Sequence, residues 1–206
     1  MRPYHHGDLR TTLIRCGLAL LRAEGPEALT LRGVAREAGV SQTAPYRHFT
    51  DRRALAAAIA AEGFRGLGAA MGRAMQRHDG HEAFRQVAFA YIRYAHQHAA
   101  EYRIMFGSEL AHRADLPELA AASRSVLELV TAGIERLQAA GLVGAGDARA
   151  LATSTWAMLH GLVMLSLDAQ TGGSGHPPEQ LDPLIETAIH LLLFGMAPEP
   201  RRSPRG

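Results

Sequence analysis

Residues 30 to 55 read TLRGVAREAGVSQTAPYRHFTDRRAL, and this stretch decides the fold of the first quarter of the chain. Thr30 precedes an apolar segment of helical spacing, where its hydroxyl can cap a helix by accepting a hydrogen bond from a free backbone N–H. Leu29 and Val34 have the spacing of a hydrophobic staple across that cap, and Gly39 is typical of a helix C-terminus. The pattern predicts a helix, here called helix two, between Thr30 and Gly39.

A further helix, helix three, is predicted to begin after a second N-cap at Ser41 and to end near Phe49. Only Gly39, Val40 and Ser41 separate it from helix two, and a three-residue turn containing glycine is the signature of a helix-turn-helix. Pro45 stands at the fourth helical position, where proline forfeits an intrahelical hydrogen bond. The start of helix three is therefore left open.

The outer face of helix three carries residue types that fit a base-reading surface. A helix this short needs support from its neighbours, and we expect Val40, Tyr46 and Phe49 to supply it. Glutamine pairs with adenine, arginine with guanine, and the threonine methyl group meets the thymine methyl group, while hydroxyls and arginines hold phosphates. This composition predicts a DNA-binding surface, with solvated residues of a small helical domain as the alternative. Its candidate residues are Ser41, Gln42, Thr43, Tyr46, Arg47, His48 and Arg52.

The charge distribution favours a polyanionic partner. All 22 basic residues are arginine, and residues 1–53 hold nine of them against five acidic residues, whereas residues 54–206 hold thirteen against fifteen. A basic end on a nearly neutral protein suggests binding to phosphate groups. An excess of this size is also ordinary surface scatter, so the charge supports the motif and does not replace it.

Composition and cysteine content predict a soluble, cytoplasmic protein. With 47% hydrophobic and 20% charged residues, the chain is typical of globular proteins. Cys16 is the only cysteine, which suits a reducing compartment. The N-terminal MRPYHHGD lacks the apolar segment of a secretory signal, and the apolar run 153–167 is shorter than a bilayer span. No membrane association is therefore expected.

The rest of the chain has helical apolar spacing and no alternating pattern of a strand. An apolar stripe from Leu9 to Leu20 marks helix one, which stops at Gly25, and a longer helix from Asp51 contains four glycines where it could bend. Further helices are predicted at 82–98, 101–106, 117–140, 147–169 and 179–195, with a loop at 171–178 and a disordered tail at 197–206. The fold class is therefore all-α, with about nine helices.

The motif residues resemble the DNA-binding segment of transcriptional regulators of the TetR/AcrR type. The start YHHGDLR and the later TWAMLHGLVML are further similar to the subgroup whose C-terminal region is called the WHG domain. Two positions depart from the pattern: Arg52 stands where lysine is usual, which keeps the positive charge, and Pro45 stands where an aliphatic residue is usual. The matching positions are Thr30, Val34, Ala35, Ala38, Gly39, Val40, Ser41, Tyr46, His48, Phe49 and Leu55.

The resemblance implies a domain division and a function. A three-helix DNA-binding domain is implied at 1–53, linked by the helix from 51 to a helical regulatory and dimerisation domain at 54–196. The implied protein is a homodimeric regulator that binds a palindromic operator, with repression relieved by a small molecule. The residues implied to hold phosphates are Thr30, Tyr46 and Arg52. Those implied to contact bases are Gln42, Thr43, Ala44, Arg47 and, from helix two, Arg32, with His48 serving either purpose.

The resemblance also implies that the last two helices form a four-helix dimer interface, which agrees with apolar residues on more than one of their faces. The middle helices would then enclose a ligand pocket. Methionine and aromatic residues suit such a pocket, although at helical spacing they are more often plain core, and His160 is also interpreted as an interior histidine. The residues predicted to line the pocket are Phe89, Tyr102, Met105, Phe106, Trp156, His160 and Met164.

No constellation in the sequence predicts an enzyme. Cys16 lies on an apolar stripe and is expected to be a buried hydrophobe. His96 and His98 are two residues apart, on different faces of a helix, unlike an i, i+4 metal-binding pair. No glycine-rich phosphate loop or nucleophile elbow occurs, and no cofactor is predicted. The alternative to a regulator is a helical ligand-binding or scaffold protein that does not bind DNA specifically.

Overall fold

The computed structural model describes the backbone of residues 6–170 and 181–195, and within these it contains helices and no strand. The predicted all-α fold class is confirmed. The loop predicted at 171–178 and the tail predicted at 197–206 lie outside the described residues. The α-helices of the described part are α1 (His6–Glu24), α2 (Leu31–Glu37), α3 (Arg52–Arg77), α4 (Gly80–Gln97), α5 (Ala99–Met105), α6 (Pro117–Ala139), α7 (Ala148–Gln170) and α8 (Leu181–Gly195), with short 3-10 helices at Pro26–Ala28, Pro45–Arg47 and Ser108–Leu110.

Helix α2 has both of the ends that its sequence predicts. The Thr30 hydroxyl oxygen accepts a hydrogen bond from the Gly33 backbone N–H at 2.9 Å, which satisfies one of the free donors of the first turn. At the other end Gly39 has φ +66°, and the Val40 N–H donates to the Ala35 carbonyl at 3.0 Å. This is the Schellman arrangement, which places glycine in the left-handed region to end a helix.

The prediction of an α-helix from Ser41 to Phe49 is wrong. The segment is a turn followed by the 3-10 helix Pro45–Arg47, because proline has no N–H to donate to the Ser41 carbonyl. That carbonyl accepts from the Ala44 N–H instead, at 3.0 Å, and this closes a tighter turn. The N–H groups of His48 and Phe49 both donate to the Pro45 carbonyl at 2.9 Å.

The anchoring of this segment also differs in part from the expectation. Phe49 is buried, as predicted, with 3% of its surface exposed. Tyr46 is 53% exposed, and Val40 is half-buried. Pro45 is buried in their place, so the proline that prevents an α-helix supplies the apolar contact for the turn.

The chain forms two compact units, and each unit is made of two separate stretches of the sequence. Unit 1 comprises the described residues up to Gly66 together with His98–Arg124. Unit 2 comprises Leu67–Gln97 and the described residues from Ser125 onward. Helices α3 and α6 therefore contribute residues to both units. The predicted division by function, at residue 53, stays a prediction.

Helix α3 runs unbroken for 26 residues through the four glycines that its sequence marks as points where it could bend. The glycines admit neighbouring side chains. A Cβ atom built on Gly63 would lie 2.5 Å from the Met105 sulfur, whereas a Cβ on Gly68 would lie 3.5 Å from Val126, an ordinary contact. The absence of a side chain at position 63 is therefore what lets α5 pack against α3 in unit 1.

In unit 2 a core cluster joins α4, α6, α7 and α8. Its fully or nearly buried members include Ile134, Ala152 and Phe84.

Among the described residues, two helices have the length and composition of a membrane span, Arg52–Arg77 and Ala148–Asp168. In α3 61% of the apolar stretch is buried inside the protein, as in the core helix of a soluble protein, but in α7 only 33% is buried. Much of the apolar surface of α7 is therefore not covered by the described part of its own chain.

Candidate nucleic-acid interface

The ten residues predicted to contact DNA all lie in unit 1. Those that are half-buried are Ala44, His48 and Arg52. Those that are exposed are Thr30, Arg32, Ser41, Gln42, Thr43, Tyr46 and Arg47. The exposed set combines donors suited to base edges with hydroxyls and arginines suited to phosphates, and all of its members except Thr30 and Arg32 lie in the segment after α2.

The turn that carries these residues is fixed by a few short contacts. The buried side chains of Pro45 and Phe49 hold it from beneath, and the hydroxyls of Ser41 and Thr43 lie 3.3 Å apart. Neither the Gln42 nor the Arg47 side chain takes part in a hydrogen bond or ion pair within the described part of the chain. The polar groups of these two side chains are available to an external partner.

Arg52 is placed differently from the other predicted contacts. Its Nε donates to the Leu29 carbonyl and its Nη2 to the Pro26 carbonyl, both at 3.0 Å. Its Nη1 lies 2.8 Å from both carboxylate oxygens of Glu109. The guanidinium thus joins the start of α3 to the turn before α2 and to the segment between α5 and α6.

Arg53 makes a second set of contacts with the same segment. It donates to the backbone carbonyls of His112 and Glu109 and forms a two-pronged ion pair with Asp115. The hydrogen bond between the two side chains raises the pKa of Arg53 above its ordinary value and lowers the pKa of Asp115. These contacts were not predicted, since the partners lie more than fifty residues away in the sequence.

A buried carboxylate joins α1 to α5 within the same unit. Glu101 is 3% exposed, and its Oε1 accepts from Nε of Arg22 at 2.9 Å and lies 3.3 Å from Nδ1 of His98. Burial acts to raise the pKa of Glu101, but the hydrogen bonds from Arg22, from its own backbone and from His98 outweigh it, so the pKa lies below its ordinary value. Glu101 is therefore ionised at neutral pH.

Unit 2 contains a pocket of about 590 Å³ between α3, α4 and α6. Most of its lining is apolar, and the lining includes small residues such as Gly72 and Ala83. Polar side chains at Gln76, Asp79 and Arg136 are exposed. A cavity of this size with an apolar wall and a few polar groups has the properties of a small-molecule site.

The seven residues predicted to bind a ligand divide between the two units, and none of them lines this pocket. Tyr102 and Met105 are fully buried, and Phe106 packs against Phe64 and Tyr102 with ring centroids 5.3 and 4.8 Å apart. In unit 2 Trp156 stacks on His160 at 5.4 Å, and burial lowers the pKa of His160. The ligand-binding role of these seven residues, which include Phe89 and Met164, stays a prediction.

Two family models match the chain, one in its N-terminal part and one in its C-terminal part. Residues 13–59 match the model described as "Bacterial regulatory proteins, tetR family", and residues 84–192 match the model described as "Tetracyclin repressor-like, C-terminal domain". The chain belongs to the TetR family. The resemblance predicted from the sequence is thereby confirmed, and the protein is a DNA-binding transcriptional regulator by family. TetR-family members are generally not enzymes.

Solved structures of TetR-like proteins share the fold over nearly the whole chain. A protein of unknown function from Rhodococcus sp. RHA1 is 34% identical with a TM-score of 0.80, and the alignment covers 96% of this chain and 100% of that one. The TetR-family regulator PfmR from Thermus thermophilus is 21% identical with a TM-score of 0.66, covering 88% and 97%. The fatty acid degradation regulator FadR from Bacillus halodurans is 15% identical with a TM-score of 0.72, covering 92% and 97%. No curated protein matches the chain.

The cysteine and histidines outside these contacts form no further chemical site in the described residues. No group of three or more His, Cys, Asp or Glu side chains in residues 9–168 and 183–192 is placed to hold a metal ion. Cys16 is half-buried on α1, and burial, followed by the charge of Glu37, raises the pKa of its thiol. A thiol with a raised pKa is a weak nucleophile at neutral pH.

Proposed function

We propose that this TetR-family protein is a cytoplasmic, homodimeric repressor that binds a palindromic operator and is released by a small molecule. The observation that carries the proposal is the exposed turn from Gln42 to Arg47, here called the reading turn. The side-chain polar groups of Gln42 and Arg47 have no partner within the described part of the chain, and the end of the chain in which the turn lies is arginine-rich.

A homodimer through α7 and α8 supports reading of a palindrome. Large apolar side chains are exposed on these two helices, at Trp156, Met158, Leu165 and Leu191. Apolar surface of this kind on a soluble protein marks an interaction site. A second copy of the chain, related by a twofold axis, would cover this apolar surface. The dimer would then present two reading turns to one duplex, and half-sites about 34 to 36 Å apart suit such a dimer.

The pocket in unit 2 is the proposed effector site. Its lining by the C-terminal parts of α3 and α6 means that a ligand there contacts two helices whose N-terminal parts belong to unit 1. A ligand releases DNA only if it binds the DNA-free shape more tightly than the DNA-bound shape. The apolar lining favours a largely apolar ligand, with Arg136 at the exposed side suited to an anionic group.

Operator binding is tested with the full chain and a duplex taken from upstream of its own gene. We expect a fluorescence anisotropy titration to show binding to one imperfect palindrome in preference to a scrambled duplex, with affinity falling steeply as salt rises because arginines displace counterions from phosphates. Equal affinity for all duplexes, or affinity that hardly changes with salt, would favour the alternative of a ligand-binding protein without specific DNA binding.

The effector site is tested with the fluorescent probe 1-anilinonaphthalene-8-sulfonate, which is apolar and anionic. Ala132→Phe places a ring into the pocket from α6, and we expect it to remove at least half of the probe fluorescence. Ala139→Phe is the matched control, because Ala139 is exposed on the same helix and does not line the pocket. Equal fluorescence from both variants would place the probe elsewhere.

A further inference from the structure

The segment between α5 and α6, residues 108–116, meets the start of α3 through charged side chains. Two of its acids, Glu109 and Asp115, form ion pairs with Arg52 and Arg53. The two arginines follow the reading turn by only a few residues. The segment therefore holds carboxylates against arginines at the edge of the candidate nucleic-acid interface.

The 108–116 segment is itself firmly placed within unit 1. Leu110 is 1% exposed. Arg113 turns inward, where its Nη2 donates to the Met105 carbonyl at 2.8 Å and its guanidinium carbon lies 5.1 Å from the centroid of the Phe64 ring. These contacts fix the segment, so the carboxylate of Glu109 is presented to Arg52 by a supported backbone.

The contacts of Arg52 leave little room for a further acceptor. A guanidinium has five N–H donors. Here Nε and one Nη2 donor bind the carbonyls of Leu29 and Pro26, and both contacts of Nη1 are with Glu109. The two carbonyl contacts lie in unit 1 next to the Thr30 cap. A phosphate that needs the Nη1 donors must displace Glu109.

We propose that Glu109 competes with operator phosphate for the guanidinium of Arg52, and that the 108–116 segment thereby sets the DNA affinity of this protein. The inference rests on the proposed DNA-binding function. Carboxylate and phosphate oxygens are equivalent partners for an arginine fork. The ion pair is 38% and 44% exposed at its two side chains, and exposed ion pairs contribute little to stability, so the exchange requires no unfolding.

The same competition would allow DNA affinity to be regulated at the Nη1 donors of Arg52. Any change that moves the 108–116 segment away from α3 frees the Nη1 donors and raises DNA affinity, while a change that holds Glu109 on Arg52 lowers it. The segment leads directly into α6, which begins at Pro117 and lines the pocket farther along. Ligand and phosphate are thus connected through one continuous stretch of chain.

The test uses Glu109→Gln in the full chain, with operator affinity measured across salt. We expect binding about threefold to tenfold tighter than wild type, with a salt dependence steeper by about one released counterion. Glu37→Gln is the matched control, because Glu37 is an exposed acid of the same unit that is not paired with Arg52. An equal gain in Glu37→Gln would reduce the effect to overall charge and overturn the inference.

A second background tests whether the effect acts through Arg52. Arg52→Gln removes the charge and the Nη1 donors that Glu109 contacts, and in that background we expect Glu109→Gln to change operator affinity less than twofold. A gain that persists without Arg52, or a loss of affinity in Glu109→Gln alone, overturns the competition. If wild type itself prefers no duplex, the proposed function fails instead, and the two failures are distinguishable.

Discussion

Met105 packs so closely over Gly63 that a Cβ atom on Gly63 would lie 2.5 Å from the Met105 sulfur. Both residues are buried in unit 1. The contact joins α3, which begins with Arg52 and Arg53, to α5, which leads into the 108–116 segment. The Met105 side chain therefore occupies the space that a side chain at position 63 would need.

Gly63→Ala is expected to lower the free energy of unfolding. Alanine is better than glycine in a helix by about 1 kcal/mol, but overpacking a filled site costs about 1 to 3 kcal/mol, so we expect a net loss. Gly68→Ala is the matched control on the same helix, where the new methyl group meets Val126 at an ordinary 3.5 Å and the gain in helix propensity remains. Urea denaturation measures both. Equal stabilisation by the two variants would show that the Met105 side chain moves aside with no loss in the free energy of unfolding.

Thr30→Ala is expected to destabilise the protein by about 0.5 to 2 kcal/mol, because it removes the hydroxyl that caps α2. Thr30→Ser keeps the cap and should retain most of the stability. The same two variants distinguish a structural role of Thr30 from a role in DNA recognition. If Thr30→Ser is stable and also binds the operator normally, the methyl group has no part in DNA binding, whereas a loss of affinity in Thr30→Ser assigns it one.

Arg47→Ala is expected to lower operator affinity by about 1 to 3 kcal/mol and to relax the preference at one base pair. Arg73→Ala removes the same charge from an exposed position of α3 in unit 2 and should have little effect on that preference. A mismatch series across one half-site measures both. Uniform loss across the series in Arg47→Ala would assign Arg47 to phosphate and not to a base.

Glu101→Gln is expected to cost about 1 to 3 kcal/mol of stability at pH 7, because a charged acceptor for Arg22 is lost from a buried position. The pKa of Glu101 in the folded protein is lowered, so its contribution is present above the unfolded value of about 4.3 and is lost as pH falls through the folded value. Unfolding of both proteins in urea at pH 7, 5 and 3.5 should show the difference shrinking only at the lowest pH. A constant difference would show that ionisation of Glu101 is not the source of its contribution to stability.

Most helix positions could be predicted because apolar spacing and glycine or proline breaks are local signals. The helix predicted at 117–140 is observed at Pro117–Ala139, and the one predicted at 147–169 is observed at Ala148–Gln170. Helix three could not be predicted correctly, although Pro45 indicated that an α-helix would lose a hydrogen bond there. The hydroxyl cap at Ser41 favours a helix and the missing N–H of proline opposes it, and the outcome depends on how the proline ring packs.

The candidate site, too, could be predicted only where it depends on local sequence. The reading turn follows from a local motif, but Tyr46, which was expected to anchor it, is exposed, and His48, which was predicted for its outer face, is half-buried. The contacts of Arg52 with Glu109 depend on a segment more than fifty residues away, and sequence spacing carries no information about such a pair. Aromatic and methionine residues were predicted to line a ligand pocket, and that role stays a prediction. The cavity in unit 2 has other residues in its lining, among them the small side chain of Ala132, and a cavity between helices depends on their separation.

The half-buried Cys16 on α1 gives this protein a built-in reporter position. It is the only thiol in the chain and lies in the unit that carries the reading turn. Because burial raises the pKa of this thiol, a maleimide spin label should attach at mildly alkaline pH. The proposed homodimer would then carry two spins, one in unit 1 of each protomer. Pulsed dipolar spectroscopy would measure the distance between these two spins, with and without DNA, and no substitution would have to be introduced.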